Sequence, residues 1–234
     1  MPATTAPVPD FTPPTDFMPH PTADGSRTLY SETIGEHYHS FFGAVAESEH
    51  VYIDKGFRSC VKPHLDILEV GLGTGLNALL TLAEAQQKGS IVNYMALEPF
   101  PLELDIVRAL QHQESIGRPD LIEPLEAMMA VCAEQVLSLT PGFTFQKSAM
   151  RIQEMDVVKA FDLVYFDAFA PKVQPEMWTV EVFNVLHRAM KPGALLVTYC
   201  AKGDVRRAMR DAGLVPELVQ GPPGKYKMLK ARRT

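Results

Sequence analysis

The chain has 234 residues and a net charge of −6, from 22 lysines and arginines against 28 aspartates and glutamates. That balance excludes the broad electropositive surface of a protein that coats nucleic acid, so a polyanionic partner would have to meet a local patch. No apolar stretch approaches the roughly 20 residues needed to cross a membrane. The N-terminus lacks the basic start and apolar centre of a secretion signal, so a cytoplasmic protein is expected.

Residues 1–23 are rich in Pro and Thr with little apolar periodicity and read as a disordered tail. A prelude over 24–64 follows, in which "DGS" marks a turn and "HVYID", residues 50–54, reads as a short strand. His37 and His39 in "GEHYHS" would fall on one side of a strand, but no third ligand stands at recognisable spacing, and no metal site is expected. Cys60, Cys132 and Cys200 are far apart with no C-x-x-C pair, which argues against a disulfide framework and suggests buried thiols.

From residue 65 the pattern becomes regular. Apolar strands are expected near 65–70, 91–97, 143–147, 161–166 and 194–200, each followed by a stretch with helical spacing. Alternation of this kind predicts parallel β-α-β units in a doubly wound α/β sheet, covered on both faces. "LVPELVQG" and "KYKMLKARR" lie too close together for a crossover and read as an antiparallel hairpin at the sheet edge. The expected domain therefore runs over 24–234, with its core at 65–234.

In such a sheet the ligand lies at the carboxyl ends of the strands, where the strand order reverses. The first strand-to-helix turn is "LEVGLGTGLN", with Gly71, Gly73 and Gly75 at alternate positions. Glycines there allow positive φ and let a ligand lie against the main chain. A dinucleotide turn would read G-x-G-x-x-G, but position 76 is Leu. The G-x-G-x-G form, preceded by the acid Glu69, resembles the first motif of S-adenosylmethionine-dependent methyltransferases.

The second strand ends in Glu98, at the distance where a ribose diol is held, although an acid there also suits a helix start at Pro99. The fourth gives "FDLVYFDAFAPKVQPEMW", which ends a buried run on Asp167 and places that carboxylate at the rim of the glycine turn. The alternative is an Asp bonded to its own loop amides. Phe169 and Pro171 would form an apolar wall against a planar base, and Trp178 either joins that wall or packs under the loop. Basic residues gather at the chain end, where Lys225 and Lys227 stand among others without an intervening acid; the plainer reading is a solvated terminus.

"VGLGTGLNALL", "ALEPFPLEL", "YFDAFAPKVQPEMWTVEVFNVL", "MKPGALLVTYCAKGDVRRAMRDAGL" and "GPPGKYKML" resemble, in order and spacing, the MnmD family, the stand-alone counterparts of the methyltransferase half of bifunctional MnmC. The resemblance covers about residues 24 to 231. It implies a Rossmann-like class I S-adenosylmethionine-dependent methyltransferase fold, with a mostly parallel seven-stranded sheet and an antiparallel edge hairpin. It also implies the reaction, methylation of 5-aminomethyl-2-thiouridine to 5-methylaminomethyl-2-thiouridine at the tRNA wobble position.

Carried over by motif, Gly71, Gly73, Gly75 and Asn77 would surround the cofactor's methionine and sugar, Glu69 would also bind the cofactor, and Glu98 would hold the ribose. Asp167 would border the cofactor and stand nearest the accepting amine as the catalytic residue. Ser148 takes the place of an acid that in the family contacts adenine. The anticodon loop would enter over Phe169, Pro171 and Trp178, while Arg206, Arg207, Lys225 and Lys227 met its phosphates, giving a binding that weakens steeply with salt.

Two other enzymes fit the same motifs less well. A spermidine-synthase-like aminopropyltransferase needs several acids to hold a polyamine, whereas "DAFAP" offers one. A small-molecule N-methyltransferase needs no anticodon-loop surface. Outside the enzymes, the chain would be a cofactor-binding RNA-binding or regulatory protein, for which loss of Asp167 or of the glycines would have spoken.

Overall fold

A computed structural model describes residues 11–12 and 14–234; the part of the expected tail at residues 1–10 and 13 lies outside the described residues. The expectation of disorder up to residue 23 is corrected over its last part, because Phe17–Pro21 forms strand β1. It pairs antiparallel with β2 (Arg27–Ser31), which pairs with β3 (Glu36–His37). The turn between β1 and β2 is closed by Asp24, which accepts from the Ser26 main-chain N–H at 3.0 Å and from the Thr22 hydroxyl at 2.7 Å. Local polar bonding of this kind folds a Pro- and Thr-rich segment that composition marks as unstructured.

Helix α1 (Ala44–Ser48) runs directly into a π-helical turn at Glu49–Asp54, so the strand expected at 50–54 is not formed. Val51, Tyr52 and Ile53 are buried in succession. A half-buried strand would expose every second residue, whereas a wide helical turn sets three neighbours against the core.

The main sheet is built from β4 (His64–Val70), β5 (Ile91–Leu97), β6 (Val136–Thr140), β7 (Phe143–Ser148), β8 (Phe161–Phe166), β9 (Met190–Thr198), β10 (Leu214–Gln220) and β11 (Lys227–Arg233). Its order is β10-β11-β9-β8-β4-β5-β7-β6, with parallel pairing from β7 through β5, β4 and β8 to β9. The expected hairpin is present, antiparallel, with β11 inserted between β9 and β10. The sheet has eight strands rather than seven. The eighth, β6, forms a tight hairpin with β7 across Pro141 and Gly142, on the opposite edge. None of its residues is buried and Val136 and Ser138 are exposed, so it carries no apolar run to announce it.

Helices α2 (Leu76–Lys88), α3 (Leu104–Arg108), α4 (His112–Ser115) and α5 (Ile122–Ala130) precede β6, while α6 (Val180–Ala189) and α7 (Gly203–Asp211) flank β9. Two apolar clusters result, one on each face of the sheet. One holds α2, α5 and the π-helical turn around Tyr94 and Phe145, and the other holds α6 and α7 around Phe166 and Phe183. Strand β8, buried at all six positions, lies between them.

The strand order reverses at β4, which has β5 on one side and β8 on the other. Two main-chain bonds hold the carboxyl ends there in line: Gly71 N–H to Leu97 O at 3.0 Å, and Asp167 N–H to Val70 O at 2.9 Å.

Candidate active site

A cavity of about 610 Å³ opens at that reversal. Its floor is the glycine turn, and Glu98, Phe100, Met150 to Glu154, Asp167 to Ala170, Tyr199 and Lys225 line it. Tyr38, His39, Phe41 and Glu47 of the prelude close it from above.

The glycines are required by geometry. Gly71 has φ +90°, and a Cβ there would stand 2.6 Å from Asp167 O, so only Gly lets the β4 turn pass beneath the β8 loop. Gly73 has φ +51° and gives its N–H to Glu98 Oε2 at 2.9 Å. Glu98 also accepts from Phe100 N–H at 3.0 Å, so it closes its own turn while facing the cavity. Burial raises its pKa. Gly75, by contrast, packs under Leu125 and Met129 at the start of α2 and does not line the cavity.

Asp167 meets Asn77, whose Nδ2 donates to its Oδ2 at 2.8 Å and to Glu69 Oε1 at 2.9 Å. Glu69 takes a second bond from the Tyr94 hydroxyl at 2.9 Å and is fully buried, which pushes its pKa well up. The expectation that Glu69 and Asn77 border the cofactor is therefore corrected: neither lines the cavity, and together they hold Asp167 in place from below. Burial raises the Asp167 pKa to about 6, against the stabilising influence of Tyr52, Asn77 and Lys225 on its anion. The buried Tyr52 hydroxyl stands beside it without completing a hydrogen bond, and Asn77 Oδ1 is likewise buried without a partner.

The remaining expected residues divide. Phe169 lines the cavity, 5.0 Å from the Tyr38 ring, and Phe11 reaches in to within 5.6 Å of it. Pro171 follows in the same loop but does not line the cavity. Trp178 lies beneath, edge-on to Phe166 at 5.0 Å, with its indole N–H on Phe169 O at 2.8 Å, so it supports the wall rather than forming it. Ser148 is buried against the Glu134 carboxylate and is also outside the cavity. Met150, Arg151 and Ile152 line that side in its place.

Lys225 lines the cavity, but it is bound to Glu47 and lies 4.0 Å from the Tyr199 ring centre. Lys227 lies over Tyr226 at 5.3 Å, Arg207 pairs with Asp204, and Arg206 is half-buried on α7; none of the three lines the cavity. The expected cluster of phosphate-binding cations at the mouth is thus not assembled.

His37 and His39 part company, since His37 packs against His20 and Tyr30 while His39 is buried near His112. Among the described residues no group of three or more His, Cys, Asp or Glu could hold a metal. The three cysteines are free, with Cys132 exposed rather than buried. No helix among the described residues is long and apolar enough to cross a membrane.

Comparison with known proteins agrees with this architecture. Residues 131–234 match a family model described as S-adenosyl-L-methionine-dependent methyltransferase. The tRNA 5-methylaminomethyl-2-thiouridine biosynthesis bifunctional protein MnmC of Burkholderia multivorans is 29% identical over 221 residues, covering 86% of this chain and 33% of that protein. The MnmC of Burkholderia thailandensis is 31% identical over 221 residues, with the same coverage of each chain. The chain is an MnmC homologue. It spans about a third of the length of these MnmC relatives. A crystal structure of MnmC2 from Aquifex aeolicus, 23% identical, superposes over 92% of this chain and 70% of that one with a TM-score of 0.67, which shows a shared fold. That fold is the one of the S-adenosylmethionine-dependent methyltransferases.

The cavity suits that cofactor on its own terms. Its volume lies within the range of small-molecule sites, the Gly71–Gly73 turn lets a ligand lie against main chain, and Glu98 offers a buried acceptor at the end of β5. Sequence reasoning missed Tyr38, Glu47, Tyr52 and Tyr199, which reach the site from the prelude and from the end of β9. "GEHYHS" was the signal, an unusually aromatic stretch ahead of a regular core.

Proposed function

We propose that the protein transfers a methyl group from S-adenosylmethionine to an amine, and that the amine belongs to 5-aminomethyl-2-thiouridine at the wobble position of tRNA, in the cytoplasm. The observation that carries the reading is Asp167. It is a carboxylate of raised pKa, fixed by Asn77 beside a glycine turn, with apolar Phe169 and Ala168 around it. The names of the MnmC relatives supply the acceptor.

S-adenosylmethionine supplies an electrophilic methyl on a sulfonium. Glu98 would hold the ribose diol, and Gly71 and Gly73 would pass beneath the rest of the ligand. Asp167 would accept one N–H of the incoming amine and so aim its lone pair; as the nitrogen–carbon bond forms and the carbon–sulfur bond breaks, the proton shed by nitrogen passes to Asp167 or to water beyond it. A carboxylate with a pKa near 6 is mostly ionised at pH 7, yet close enough to neutral to take that proton. Asn77 and Glu69 prevent Asp167 from turning away, and alignment of this kind is worth several kcal/mol.

A polyamine acceptor fits less well beside Asp167, because among the acids that line the cavity Glu47 is paired with Lys225, Glu36 with Lys172, and Glu98 accepts from the Gly73 and Phe100 main-chain N–H groups. The test uses methyl-labelled S-adenosylmethionine and tRNA from cells lacking this methylation, followed by digestion and identification of the labelled nucleoside. Label in 5-methylaminomethyl-2-thiouridine is the expected result. Intact cofactor binding with no label in tRNA would overturn the acceptor.

A further inference from the structure

The small sheet β1-β2-β3 has one ordinary face and one unusual one. Inward, Leu29 is fully buried, and Phe17 packs edge-on to Tyr38 at 5.3 Å. Outward, cross-strand register sets Met18 opposite Tyr30, and Tyr30 opposite His37, with His20 two residues along from Met18. An antiparallel sheet facing water normally turns polar residues outward. Here the rings form a continuous group: His37 lies 4.7 Å from Tyr30, 5.4 Å from His20 and 6.2 Å from Phe41, and Phe41 lies 6.5 Å from Phe42.

The group continues around the cavity mouth. The Phe42 ring packs on Gly224 so closely that a Cβ there would stand 2.1 Å from it, and two residues beyond lies Tyr226, 90% exposed beneath Lys227. Phe41, Phe42 and Tyr226 are the only aromatics among the exposed large hydrophobic side chains of the described residues. His37 and Phe41 belong both to this surface and to the cavity wall.

We propose that this aromatic arc is the surface on which the unpaired nucleotides flanking the acceptor nucleoside stack. The inference rests on the tRNA reading of the cavity and adds how the RNA is gripped. Bases splayed from a loop stack on exposed rings regardless of sequence. Cations at and around the mouth are meanwhile engaged: Lys225 by Glu47, Arg151 over the Phe100 ring, Lys172 by Glu36 and Lys227 over the Tyr226 ring. A chain of net charge −6 therefore holds RNA here chiefly by stacking, and its affinity depends only weakly on salt.

The test titrates the full chain with a fluorescein-labelled anticodon stem-loop RNA, in parallel with a stem-loop carrying 2-aminopurine next to the wobble nucleotide. His20→Ser with Phe42→Ser forms one variant and Tyr226→Ser another. None of these residues lines the cavity, and thermal melting together with S-adenosylmethionine binding by calorimetry checks that each variant is folded.

The expected result is a Kd for the stem-loop raised about five- to a hundredfold in each variant, with loss of the 2-aminopurine quenching. KM for tRNA rises in parallel while cofactor affinity stays unchanged. The wild-type slope of log Kd against log salt stays below about 2. Folded variants that bind and quench as wild type does would overturn the stacking surface while leaving the methyltransferase reading intact. Stem-loop binding lost in the variants, with no methylation of tRNA by the wild type, would keep the surface and discard the reaction.

Discussion

Strand β8 carries an aspartate near each end, and their surroundings differ. Near its amino end, Asp162 accepts from Lys62 at 2.5 Å, from Lys191 at 2.6 Å and from the Asp66 main-chain N–H at 3.1 Å. Burial there opposes ionisation, but the bonds from Lys191 and Lys62 outweigh it and hold the carboxyl below its usual range. Just past the carboxyl end, Asp167 has amide and hydroxyl neighbours and no cation in contact, and burial lifts it to about 6. One aspartate is tied into the fold, and the other is held ready for a proton. Surroundings decide which: two lysines hold the Asp162 anion, whereas burial outweighs the amide and hydroxyl neighbours of Asp167.

The largest break in that comparison is Asp167→Asn. It keeps the shape and one acceptor but removes the charge, and methyl transfer should fall by roughly 10²- to 10⁴-fold in kcat with cofactor affinity little changed, read in a steady-state assay. The same variant should be more stable than the wild type at pH 7. A raised folded-state pKa means that the folded chain binds more protons than the unfolded one between about 3.8 and 6, so stability is lost as pH rises through that window. The full displacement would represent roughly 3 kcal/mol, but the carboxylate faces an open cavity, and a gain on the order of 1 kcal/mol by urea denaturation is expected.

Asp162→Ala should behave the other way. It leaves activity chemistry untouched and strips a buried acceptor from two lysines and an amide. Because both lysines reach solvent, the expected loss is about 1–3 kcal/mol rather than the larger cost of a fully buried pair. A depressed pKa makes the Asp162 contribution present above the ordinary carboxyl range and lost as pH falls through it, so the variant's deficit should shrink in acid.

The pH profile sharpens the contrast. kcat/KM should fall about tenfold per pH unit below 6 as Asp167 takes up its proton. The smallest effect is on the position of that limb. Lys225 favours the Asp167 anion and Glu47 opposes it. Lys225→Met should therefore move the limb to higher pH and Glu47→Gln to lower pH, each by less than about one pH unit.

Much of this molecule is legible in its amino-acid sequence. β5 and β8 match the expected 91–97 and 161–166, because strands inside a parallel sheet are written as mostly apolar runs, interrupted here only by Asn93 and Asp162. Gly71, Gly73, Glu98 and Asp167 meet in one cavity because each stands at a strand's carboxyl end. β6 is not legible in this way, because an edge strand half in water has no such run. The strand expected at "HVYID" is a π-helical turn because β-branched and aromatic residues suit any buried surface. Glu69 and Asn77 are legible as part of the motif but not in their role: a carboxylate at a strand end and an amide on the next helix can face the ligand or each other, and packing chose each other.

The sequence by itself determined the doubly wound core, the glycine turn and the two acids at its rim, because periodicity and strand-end position are local properties. Only the tertiary structure decided that the prelude roofs the cavity, that Trp178 and Ser148 stand behind its walls, and that Lys225 is neutralised by Glu47, 178 residues away. Those outcomes depend on which distant side chains share one volume, and no spacing along the chain records that.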